Sequence, residues 1–148
     1  MSNITPIRVT GTFAPSGTQD VNIVGPDPLP VQVVSEVNFA SAVNIYAELL
    51  VPYATVTTIL SYAVPAAVTF YGTQVIGWGD TCGEFLIKVD GIIVGGGRST
   101  ASYPNFIGDY TTAPFVATTG QIVTITAEQY QPSMGTYTMK ANLMGGKL

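Results

Sequence analysis

Glu84-Phe85-Leu86-Ile87-Lys88-Val89-Asp90-Gly91-Ile92-Ile93-Val94 is the stretch that decides the fold. Phe85, Ile87 and Val89 share one face of an extended chain, and Glu84 and Lys88 share the other. That period of two is the signature of a half-buried strand. Asp90-Gly91 follows, and then a second β-branched run. Both central residues of a type I′ turn need positive φ, which Asp-Gly tolerates. The stretch therefore predicts two antiparallel strands joined by a tight hairpin.

The same period extends to the rest of the chain. In Thr136–Leu143, Tyr137, Met139, Ala141 and Leu143 fall on one face, and Thr136, Thr138, Lys140 and Asn142 on the other. Further strands are predicted at 44–51, 56–64, 69–78, 110–116 and 121–130. Pro52-Tyr53-Ala54, Pro65-Ala66, Gly79-Asp80, Thr118-Thr119-Gly120 and Gln131-Pro132-Ser133 separate them as turns. Residues 95–109 read as one long loop. Only 38–50 could pass for a helix, and Pro52 and the β-branched residues argue against it. The expectation is an all-β, eight-stranded antiparallel β-sandwich over 41–148, with a jelly roll as the leading topology and an immunoglobulin-like sandwich as runner-up.

Residues 1–40 have a different texture. Short β-like pieces at 7–13, 21–24 and 30–37 are separated by Pro15-Ser16-Gly17 and by Gly25-Pro26-Asp27-Pro28-Leu29-Pro30. The prolines impose an extended path. Ile7, Val9, Phe13, Val21, Ile23, Val31 and Val33 supply apolar side chains too sparse to build a core. Two readings follow. The segment is an arm that adds strands to a partner through these residues, or it folds back and extends a sheet of its own sandwich.

Charged residues are only 9% of the chain, against about 25% in an average soluble domain. A mixed charged surface normally keeps a free monomer in solution, so the shortage implies that partners cover much of this one. Net charge is −4, and the five basic residues Arg8, Lys88, Arg98, Lys140 and Lys147 are scattered. Phosphate binding needs clustered Lys and Arg, so neither nucleic acid nor an anionic membrane is an expected partner. No basic start precedes an apolar run at the N-terminus, so secretion is not expected. The one cysteine, Cys82, excludes an intrachain disulfide and a CxxC site.

Catalysis is not expected either. Histidine is absent, which removes Ser-His and Cys-His activation and the commonest zinc ligand. The acidic residues form no recognisable pair or cluster. Asp80, Thr81 and Glu84 are too few for a calcium loop. Gly95-Gly96-Gly97-Arg98-Ser99-Thr100 lacks the lysine and helix of a phosphate loop, and reads as a place where a backbone is approached closely. No cofactor or metal is expected. Trp78, Tyr103 and Tyr110 flank or occupy loops, where they could stack on sugar rings or cover an interface.

Thr57–Ala66, the hairpin stretch Phe85–Gly91, Gly120–Thr126 and Tyr137–Gly145 together resemble β-sandwich modules of tailed-bacteriophage virion proteins. Ile7–Phe13 and Pro28–Val33 resemble short Val-x-Val segments of phage structural proteins. The resemblance spans most of the chain and is one of style, without a diagnostic motif. It implies a virion component, a capsid decoration (cement) protein or a head-fibre or tail-associated module. It further implies a homo-oligomer, with a trimer favoured, made in the host cytoplasm and seated on the capsid exterior. The expected partners are the major capsid protein or other virion proteins, bound through the arm.

Overall fold

The computed structural model describes residues 39–131 and 135–148. The arm residues Ile7, Val9, Phe13, Val21, Ile23, Val31 and Val33 lie outside them. Nine strands run in order: β1 (Ser41–Pro52), β2 (Thr57–Ala63), β3 (Phe70–Gly79), β4 (Gly83–Val89), β5 (Ile92–Arg98), β6 (Asn105–Asp109), β7 (Phe115–Ala117), β8 (Ile122–Gln129) and β9 (Thr136–Lys147). They form two antiparallel sheets. The first has the order β1-β9-β3-β6, with β7 also on β3, and the second the order β2-β8-β4-β5.

β6 and β7 are two pieces of one edge. β6 pairs with Gln74–Trp78, and β7 with Phe70–Gly72. Between them Tyr110 N–H still donates to Thr73 O at 2.7 Å. Eight ladder positions therefore remain, and the chain crosses between sheets in the order of a jelly roll. The 38–50 region is strand from Ser41 onward.

The hairpin forms as read. Asp90 has φ 48° and Gly91 φ 82°, the left-handed pair a type I′ turn requires. Asp90 also fastens the turn to β8: its N–H donates to Ile122 O at 2.9 Å, and its Oδ1 accepts from Ile122 N–H at 2.8 Å. Phe85, Ile87 and Val89 point into the core, as do Met139, Ala141 and Leu143. In β2 the register slips at Ile59, and the bulge lets Ile59 and Leu60 both face inward.

The predicted loop at 95–109 is instead largely strand. Gly95–Arg98 continue β5, and Asn105–Asp109 form β6. A Cβ on Gly95 would meet the Tyr110 hydroxyl, and one on Gly97 would meet the Phe106 ring at 2.6 Å. The glycines leave room for aromatic side chains arriving from the other sheet. Phe106 stacks on Phe85, with centroids 6.1 Å apart and planes 13° from parallel. Aromatic rings thus close the seam between β5 and β6.

Candidate partner-binding face

The two outer faces of the sandwich have different chemistry, and strand register shows why. On the β2-β8-β4-β5 sheet, the row Arg98–Glu84–Glu128 is followed by Gly96–Leu86–Thr126–Thr58 and then by Ile93–Lys88–Thr124–Ser61. This face is mostly polar. Arg98 Nε donates to Glu84 Oε1 at 3.2 Å, the one ion pair among the described residues. The Arg98 guanidinium also lies 5.8 Å from the Tyr130 ring centroid. Glu84 and Glu128 are directly opposed like charges, a destabilising arrangement by itself. The Tyr130 hydroxyl sits between them, 3.0 Å from Glu84 Oε2 and 3.2 Å from Glu128 Oε2. Burial first, and then these carboxylates, push its pKa up to about 12.

The outer face of the β1-β9-β3-β6 sheet sets exposed aromatic and aliphatic side chains among amides and charges. Its central rows are Glu48–Lys140–Trp78–Asn105 and Tyr46–Asn142–Ile76–Ile107. Asn44–Met144–Gln74–Asp109 lies below them. Tyr46 is 51% exposed, Leu50 61% and Ile107 59%. The Tyr46 and Trp78 rings lie 5.9 Å apart, tilted by 37°. The Tyr46 hydroxyl donates to Glu48 Oε2, which, ahead of burial, raises the phenol above its ordinary pKa. Asp109 Oδ1 accepts from the Thr111 hydroxyl at 2.7 Å and from Thr111 N–H at 2.9 Å. Both bonds hold its carboxyl below the usual range. At the far end Phe39 lies over Gly146 and against Tyr71.

The aromatics singled out in the sequence do not come together. Trp78 is half-buried on this face, opposite Asn105. Tyr103 closes the turn that leads into β6 and is 75% exposed; its N–H donates to Thr100 O at 3.1 Å. Tyr110 is half-buried, with its ring edge-on to Phe115 at 5.4 Å. Burial pushes its hydroxyl pKa up. Tyr46, Ile76 and Ile107 were not singled out from the sequence. One signal did point to the first two: β1 and β3 carry apolar residues on both faces, which an antiparallel strand with one solvated face does not need.

Among the described residues, no three His, Cys, Asp or Glu side chains converge as a metal site. Cys82 is a free thiol. Among the described residues, no helix is long and apolar enough to cross a membrane. In comparisons with known proteins, no family model matches the chain and no curated protein matches its sequence.

Proposed function

We propose that the protein is a structural component of a phage virion, a capsid decoration protein that assembles on the outer shell and stabilises it. The observation that carries this reading is the outer face of the β1-β9-β3-β6 sheet. Tyr46, Leu50 and Ile107 are more than half exposed there, in a chain with 9% charged residues. Aromatic side chains such as Tyr46 and Trp78 are enriched at interfaces, and clustered exposed apolar side chains mark interaction sites. The resemblance of the strand segments to virion modules supplies the kind of assembly. The arm, through Ile7, Val9, Phe13, Val21, Ile23, Val31 and Val33, supplies strands to the shell: main-chain hydrogen bonds give affinity, and alternate side chains fix register.

Co-sedimentation with purified shells tests the reading. The full chain is expected to pellet with shells. A chain lacking residues 2–35 is expected to remain folded and stay in the supernatant. Full binding by the truncated chain would remove the arm from the proposal, and no binding by the full chain would remove the shell.

The Tyr46–Trp78 ring pair favours a second reading, a head-fibre or tail-associated module that binds host glycans. Trp78→Ala should then abolish binding to a glycan array. An array on which the folded parent chain gives no signal counts against it.

A further inference from the structure

We infer that the outer face of the β1-β9-β3-β6 sheet pairs with the same face of a second copy of this chain. The inference deepens the assembly reading, on which it rests, but its test requires no shell.

Register sets most side chains of the central rows against favourable partners in a second copy, Asn142 against Ile76 and Met144 against Gln74 being the exceptions. Consider a two-fold axis running along the strands between β9 and β3. It sets β9 over β3 of the second copy, and β1 over its β6. In the first central row Lys140 then faces Trp78, and Glu48 faces Asn105. An ammonium over an indole face is a favourable cation–π contact, and a carboxylate accepts from an amide. In the second central row Tyr46 faces Ile107, joining two of the most exposed apolar side chains of the sheet. In the row below, Asn44 faces Asp109. No like charges meet in these rows. Packed sheets cross at roughly 30°, so the central rows keep this correspondence best.

The area suits a stable pair. Strands β1 and β9 have twelve residues each, β3 ten, and the edge pieces β6 and β7 five and three; at ~3.3 Å rise per residue and ~4.8 Å between strands they define a face of roughly 660 Å². That lies in the lower part of the standard range, about 600–1,000 Å² per partner. The other outer face lacks this match. Its row Arg98–Glu84–Glu128 already satisfies itself through the Tyr130 hydroxyl and the Arg98–Glu84 ion pair.

Sedimentation velocity of the full chain, with tryptophan emission read in parallel, tests the pairing. Trp78 is the only tryptophan, so its emission reports this face alone. The expected result is twice the 15.5 kDa chain mass, with emission moving to the red on dilution. Ile107→Glu places a carboxylate against Tyr46 of the second copy at both ends of the central row and should weaken the pair roughly tenfold or more. Thr124→Glu, on the opposite outer face, should leave mass and emission unchanged. Circular dichroism of both variants controls for folding. A single-copy mass up to roughly 100 µM, a three-copy mass, or an Ile107→Glu protein that keeps the double mass would each overturn the inference. So would loss of the pair in Thr124→Glu. Shell binding by a single-copy protein would leave the decoration reading in place and remove only the pairing.

Discussion

The Tyr110 hydroxyl occupies the space that a side chain on Gly95 would need, although the two residues sit in different sheets. Tyr110 follows β6 in the first sheet, and Gly95 belongs to β5 in the second. The glycine and the tyrosine together close the β5–β6 seam.

Substituting that glycine should therefore cost stability. Gly95→Val forces the Tyr110 ring out of its place, and overpacking of this kind costs about 1–3 kcal/mol. Gly91→Ala offers a contrast. A Cβ there meets nothing within 4 Å, but φ is 82°, so the cost is backbone strain alone, about 1 kcal/mol. Urea unfolding midpoints of the two variants separate crowding from strain.

Phe85 is fully buried, stacks on Phe106 and fills the space over Gly77. Phe85→Ala should lose about 3–5 kcal/mol, enough to unfold a marginal domain. Thermal unfolding by circular dichroism provides the measurement. A loss below about 1 kcal/mol would mean that the ring is not a central core residue.

Among the described residues, Gln129 is the one large polar side chain with no exposure. Its Nε2 donates to Gly135 O at 2.7 Å and to Val51 O at 3.4 Å, and its Oε1 accepts from Gln131 N–H at 2.9 Å. It ties the end of β8 to β1 and to both sides of the β8–β9 connection. Gln129→Leu keeps the bulk and strands these backbone groups, at about 1–3 kcal/mol for each one left buried. Hydrogen exchange should show faster opening of the amides at 51–54 and 135–137 before the rest of the sandwich.

Tyr130 predicts a pH effect in alkali. Its folded pKa, about 12, lies above the ordinary value of 10.0. The folded state therefore holds the phenolic proton more tightly than the unfolded chain does. The resulting stabilisation is complete below pH 10 and is lost as pH rises through about 12. The residue is 42% exposed, so solvent screens the effect and keeps it small. Tyr130→Phe should flatten stability between those two pH values and should remove one late-ionising tyrosine from the phenolate absorbance of the parent chain.

The sheet interiors were legible in the sequence because alternation survives wherever one face is buried. Phe85-Leu86-Ile87 and Met139-Lys140-Ala141 are plain cases, and Asp90-Gly91 marked its own turn. The strand continuation at 95–98 was not legible. A glycine strand carries no hydrophobic pattern, and its share of the core comes from Phe106 and Tyr110, which arrive from another part of the chain. The candidate face was hidden for a similar reason. Tyr46, Ile76 and Ile107 lie in three separate segments, and only the pairing of β1 with β9, β9 with β3 and β3 with β6 sets them beside Trp78. Trp78 was visible because tryptophan is rare in the chain. Tyr110 looked like its neighbour because both are aromatic and near a turn, yet the core claims one and the surface the other.

β1 and β9 run antiparallel along their whole length, with Ser41 opposite Lys147. Tension applied between those two residues would peel the strands apart one rung at a time, as a zipper opens, rather than shearing all rungs together. Mechanically, the sandwich is weakest when gripped by that pair of ends.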